Sequence, residues 1–187
     1  DQTNATITNA GTISTACTLS YGIYAIAGSN TITNAGTIST TIGLSAGISA
    51  NGNANTITNS GTIITTGELS SGIYALGNTN TISNSGMISA TRNSSWGIFA
   101  GGNANTISNS GTISTTGNSS YGISGTGDNN TISNSGTISG TAGAVLFTGT
   151  GNTLSLLAGS KIVGLLDIAG TGGNTLSIGS RLNTALE

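Results

Sequence analysis

Histidine and proline are absent from this 187-residue chain, and cysteine, methionine and tryptophan occur once each. Charge is scarce too: three Lys or Arg and five Asp or Glu leave a net charge of −2. Nucleic acid is excluded as a partner, because three basic residues cannot neutralise a phosphate backbone. Cys17 has no second cysteine for a disulfide and no histidine to activate its thiol, so it is read as a small, partly buried apolar residue. The longest apolar runs, "AVLF" and "IVGLLDIA", are far too short to span a bilayer. Low charge and few aromatics would fit disorder, but isoleucine recurs at fixed positions, which argues against it.

What is present is a repeat. "NTITNAGTIST" at 30 to 40 returns as "NTITNSGTIIT" at 55, "NTISNSGMISA" at 80, "NTISNSGTIST" at 105 and "NTISNSGTISG" at 130. A degenerate first copy opens at Ala5, and later openings at Asn152 and Asn174 are more closely spaced. Self-similarity at a fixed period signals a solenoid. Each copy holds three alternating runs, T-I-T-N, T-I-S and G-I-x-A, whose period of two reads as strand with one buried face. Asn, Gly, Thr and Ser dominate, and nothing recurs at helical spacing.

The expected fold is all-β: a parallel, right-handed, three-sided β-helix of about 25 residues per coil, the hand following the crossover rule for parallel strands. About seven coils stacked at ~4.8 Å give a rod ~35 Å long. Residues 1–129 form the regular 25-residue repeats, and 130–187 continue the helix in shorter coils of about 22 residues. Three inward isoleucine columns follow: Ile7 to Ile132, Ile13 to Ile138, and Ile23 to Ile123. Asn9, Asn34, Asn59, Asn84, Asn109 and Asn134 share the parity of the first column, so they face inward as a structural ladder in which stacked amides satisfy one another. The glycine two residues after each ladder Asn suits a corner needing positive φ or close backbone approach. Absent proline fits, since every strand inside a solenoid must donate its N–H groups.

No catalytic constellation is legible. The acids Asp1, Glu68, Asp128, Asp167 and Glu187 fall at different points of the repeat, without the paired carboxylates of glycoside hydrolysis. "GTGDNNTI" at 125 to 132 is similar to one calcium-binding nonapeptide, but a single copy builds no oxygen cage and reads as a turn. "GTGGN" at 170 to 174 lacks the lysine and helix of a phosphate loop. No enzyme activity, cofactor or metal is expected.

Two outer surfaces are candidates for binding. Thr6, Thr31, Thr56, Thr81, Thr106 and Thr131 point outward beside Thr8, Thr33 and Thr58, whose column continues as Ser83, Ser108 and Ser133. Together they form a T-x-T array of the kind ice-binding solenoids use, although β-branched Thr is also an ordinary outward strand residue. The position after the third isoleucine carries Tyr24, Ser49, Tyr74, Phe99 and Ser124; Tyr24, Tyr74 and Phe99 are candidate binding residues, able to stack on sugar rings or pack on another rod. Tyr21, Trp96 and Tyr121 stand at strand starts and are read as corner filler.

From about residue 144 the text changes. Asn152-Thr153-Leu154-x-Leu156, Gly159-Ser160-x-Ile162-x-Gly164 and Asn174-Thr175-Leu176-x-Ile178 resemble the later passenger region of single-chain autotransporters, surface proteins of Gram-negative bacteria. The upstream "NTISNSGTIS" units resemble passenger repeats of the same families, and two-partner secreted adhesins use similar helices. The resemblance implies export to the bacterial cell surface, a membrane barrel beyond residue 187, and a stalk that adheres or self-associates. Its expected partners are further copies, end to end or side by side, and surface glycans or proteins. On this reading the chain, opening in mid-pattern, is a segment of a longer protein, and its final Leu186-Glu187 is a cloning scar.

Overall fold

The computed structural model describes residues 4–168, 170 and 172–179, and among these only strands, bridges, bends and turns occur. Three short strands make a coil. In the first they are Thr6–Asn9, Thr12–Thr15 and Tyr21–Ile26; in the second, Thr31–Asn34, Thr37–Thr40 and Ala46–Asn51. Every third strand joins the same sheet, giving parallel sheets of eight, seven and seven strands. Pairing is in register, Thr6 on Thr31, Ile7 on Ile32, Asn9 on Asn34, and so along the rod. The fold is therefore a three-sheet β-solenoid.

Partners lie 25 residues apart until Asn130, after which Asn130 to Asn152 and Asn152 to Asn174 are steps of 22. The residues lost come from the corner between the second and third strands. Thr112–Thr115 is followed by a strand opening at Tyr121, whereas Thr137–Ser139 is followed by one opening at Gly143. The sheets continue across this change, with Thr131 on Thr153 and Tyr121 on Gly143.

All three isoleucine columns face inward. From Ile32, Ile38 and Ile48 onward they are fully buried, while Ile7 and Ile13, covered from one side only, are partly buried. Leu154, Ile162 and Val145 extend the columns into the shorter coils.

The asparagine ladder runs through this apolar interior. Asn9 Nδ2 donates to Asn34 Oδ1 at 2.7 Å, and the same bond links Asn34 to Asn59, Asn59 to Asn84, Asn84 to Asn109 and Asn109 to Asn134. Each Nδ2 also reaches a corner carbonyl, as Asn34 does to Gly36. At the far end Leu156 occupies the column, and Asn134 donates instead to Ser160 Oγ at 3.2 Å. Stacking thus lets a buried amide meet its demand from copies of itself.

Two further interior ladders were not anticipated. Asn30, Asn55, Asn80, Asn105, Asn130 and Asn152 lie buried at the corner before the first sheet. There each backbone N–H donates to the Oδ1 of the next, from Asn30 to Asn55 through to Asn152 to Asn174. At the corner before the third sheet, the N–H groups of Ser20, Ser45, Ser70 and Ser95 donate to the hydroxyls of Ser45, Ser70, Ser95 and Ser120. Side chains therefore carry the ladder through corners where backbone pairing is interrupted.

Of the two reasons given for the corner glycines, close approach applies. A Cβ on Gly36 would lie 2.0 Å from the Gly11 carbonyl oxygen, and Gly61, Gly86, Gly111 and Gly136 are equally crowded by the preceding coil. Gly11, with no coil beneath it, has open space.

Asn84 accepts from Asn59 and donates to Asn109 and to the Gly86 carbonyl. Asn84→Ala strands polar groups on both neighbours and should cost about 3 kcal/mol in urea unfolding at unchanged slope. A loss below about 0.5 kcal/mol, the range of an ordinary surface change, would contradict the ladder's structural role.

Candidate functional site

The third sheet presents the aromatic residues, and a local kink sets their direction. Tyr21 pairs with Ala46 and Ile23 with Ile48. Between them a Cβ on Gly22 would meet Ile38 Cγ2 at 2.3 Å and the Gly47 carbonyl at 2.6 Å, so the backbone turns inward there. Residues three apart, such as Tyr21 and Tyr24, then share the outer face. Tyr21 stacks on Tyr24 with centroids 4.7 Å apart, and Trp96 tilts against Phe99 at 5.4 Å. Tyr21 and Trp96 do begin strands as expected, but they pack on the outer face with their strand-mates instead of filling a corner.

Of the three candidate aromatics, two come together. Tyr74 and Phe99 sit one coil apart and stack at 5.0 Å with ring planes 13° from parallel. Tyr24 is separated from them by Ser49. Its hydroxyl accepts from Asn51 Nδ2 of the next coil at 3.2 Å, so the ring leans toward the rung where Ser49 has no ring of its own. Ser49 is fully buried although it lies on the outer face, covered by its larger neighbours.

The column through Tyr21, Ala46, Ser71 and Trp96 is an aromatic stack with two rungs left small. Three coil steps separate the rings, ~14 Å. Above the small rungs is a slot of about 320 Å³, ended by Tyr21 and Trp96, floored by Ala46 and Ser71, and flanked by Tyr74 on one side and Leu19, Leu44 and Leu69 on the other. Among the described residues, tyrosine phenols are the only ionisable groups lining it. Burial, and then the nearby Tyr21 phenol, hold the Tyr74 phenol above its ordinary pKa, so it is neutral at physiological pH.

The leucine ridge escaped the reading of the sequence. Leu19, Leu44 and Leu69 are 63%, 47% and 50% exposed, with φ of 57°, 59° and 53°. Bulky residues seldom occupy that left-handed region. The next two coils place Ser94 and Ser119 there with the same backbone. Three leucines at the repeat spacing followed by two serines was the available signal.

On the first sheet the threonine array is in register as expected. Thr6, Thr31, Thr56, Thr81 and Thr106 are exposed, Thr131 is half-buried, and Thr8, Thr33 and Thr58 run beside them. The face is regular but loses its second threonine column to Ser83, Ser108 and Ser133.

Among the described residues no group of three or more His, Cys, Asp or Glu converges. Glu68 is exposed at a corner, and Asp128 caps a turn. Cys17 is exposed, contrary to the partly buried placement expected from its residue type. It belongs to a corner position in the first coil, and that position also carries the exposed Arg92. The outer face of the third sheet suits contact with apolar or ring-bearing surfaces. The chain matches no family model, no curated protein and no solved structure.

Asp128 supplies a pH test. Its Oδ1 accepts from the Thr150 N–H at 2.8 Å and the Thr150 hydroxyl at 3.0 Å, and these bonds lower its pKa. Asn53, Asn78 and Asn103 cap the turns of the preceding coils in the same way without charge. A lowered folded-state pKa adds stability above the unfolded value, and that stability is lost as pH falls through the folded value. Any Tm advantage of the native chain over Asp128→Asn should therefore shrink on acidification through the carboxylate range. A difference that stays constant with pH would show that the carboxylate charge is not engaged.

Proposed function

We propose that this chain is a non-enzymatic, surface-displayed passenger stalk of the autotransporter type, which adheres or self-associates through the outer face of its third sheet. The observation that carries the reading is the contrast between the rod's interior and that face. Inside, the ladder asparagines and serines bond one coil to the next. On the third sheet, the half-buried Tyr74 and Phe99, the exposed Tyr24 and the exposed leucine ridge present apolar and aromatic surface to the outside. Such surface marks contact sites more often than stability.

The motif resemblance around Asn152 and Asn174 supports export to the bacterial surface, and the solenoid fits a passenger. Scarce charge and a lack of disulfides are compatible with a chain that crosses membranes unfolded. A stalk needs stiffness, and continuous backbone ladders supply it.

The test is binding of the purified rod to bacterial and host-cell surfaces and to arrayed neutral glycans. Tyr74→Ala with Phe99→Ala should weaken adhesion by about tenfold or more, the range of a small aromatic hot spot. Unchanged binding would place the contact elsewhere on the rod.

The in-register threonine array supports a second reading, an ice-binding face on the first sheet. It predicts thermal hysteresis that Thr56→Tyr abolishes. An absence of hysteresis in concentrated protein removes it.

A further inference from the structure

The leucine ridge exposes apolar surface that the fold does not require. Its left-handed backbone belongs to the coil, because it recurs at this corner in five successive coils. Leu19, Leu44 and Leu69 place a large apolar side chain there and expose about half or more of its surface. Serine holds the same backbone at Ser94 and Ser119, so the corner does not require leucine.

Ridge and slot lie side by side on one face and at matching levels. Leu44 belongs to the same coil as Ala46, and Leu69 to the same coil as Ser71. A two-fold axis parallel to the rod, set in front of this face, swaps left for right and leaves every level unchanged. It brings the ridge of one rod to the slot of the other, and the reverse, with no shift along the axis. Both features repeat at the coil spacing, so two rungs of leucine meet two rungs of small residues. The described residues that line the slot carry no charge, so they do not repel an identical face. A contact that is self-complementary in this way is the signature of an isologous interface.

We infer that a second copy of this chain docks here as a parallel dimer, with Leu44 and Leu69 of each rod seated over Ala46 and Ser71 of the other, between Tyr21 and Trp96. The inference rests on the self-association branch of the proposed function and names its partner and geometry. Two-fold closure limits the assembly to pairs, so it does not predict filaments.

The experiment is sedimentation velocity over a wide concentration range, with Trp96, the single tryptophan, as an independent fluorescence reporter at the slot's end. Two variants borrow residues that the chain already carries at equivalent positions. Leu44→Ser with Leu69→Ser removes the ridge, and Ala46→Tyr fills the slot. The native protein should dimerise with a blue shift of Trp96 emission, and each variant should dimerise about tenfold or more weakly at nearly native Tm. Mixing the two variants should restore association in part, because the intact ridge of one then meets the open floor of Ala46 and Ser71 in the other, making one of the two contacts. A native chain that stays monomeric at the highest concentration overturns the inference while leaving surface adhesion intact. Variants that dimerise as tightly as the native chain, or a mixture that gains nothing, overturn the ridge-to-slot contact and leave self-association to another face.

Discussion

Stacking in register governs this molecule: each residue lies about 4.8 Å from its counterpart in the next coil, so it must tolerate a copy of itself. Isoleucine does so by packing, as the buried columns show. Asparagine does so because it has both donor and acceptor, and from Asn9 to Asn109 each Nδ2 of the first ladder finds the Oδ1 of the next coil. Serine hydroxyls accept from the backbone of the coil before. Like charges so close repel, and proline cannot donate to a ladder. A composition with little charge and no proline is thus the same constraint seen in the sequence.

Legibility followed the same line. The isoleucine columns, the first asparagine ladder, the three parallel sheets and the outward threonines depend on period and parity, and both are written in the repeat. The second asparagine ladder was less readable. Asn30, Asn55 and Asn80 marked the start of each copy, but their inward direction is set by corner geometry, where strand parity no longer applies. The serine ladder was missed for the same reason. The glycine corners could be narrowed to two causes, and only the distance from Gly36 to the coil beneath decided between them.

The third sheet shows the limits most clearly. Tyr74 and Phe99 were placed as outward neighbours by parity alone. The Gly22 kink, which puts Tyr21 on the same face as Tyr24, breaks the alternation that parity relies on. Leu19, Leu44 and Leu69 fall in a corner, where an exposed leucine and a buried one look alike in sequence. Cys17 was misjudged because residue type favours burial and its corner position does not. In each case the deviation lies between strands, and it is there that the shorter coils after Asn130 also lose their residues.

The three outer faces then differ in what they offer. The first two sheets are mostly threonine and serine, neutral and regular, while the third is aromatic and apolar over a few coils. A rod held by self-matching columns leaves its surface free to vary, because outward side chains are not needed for the stack.

The most direct test of coil-to-coil matching is amide hydrogen exchange at the corners, resolved by residue. The N–H groups of Asn55, Asn80 and Asn105 should be protected as strongly as strand amides such as Ile57 and Ile82, since side-chain carbonyls of the next coil hold them. Corner amides that exchange as fast as those of ordinary surface turns, while the strands stay protected, would contradict the account.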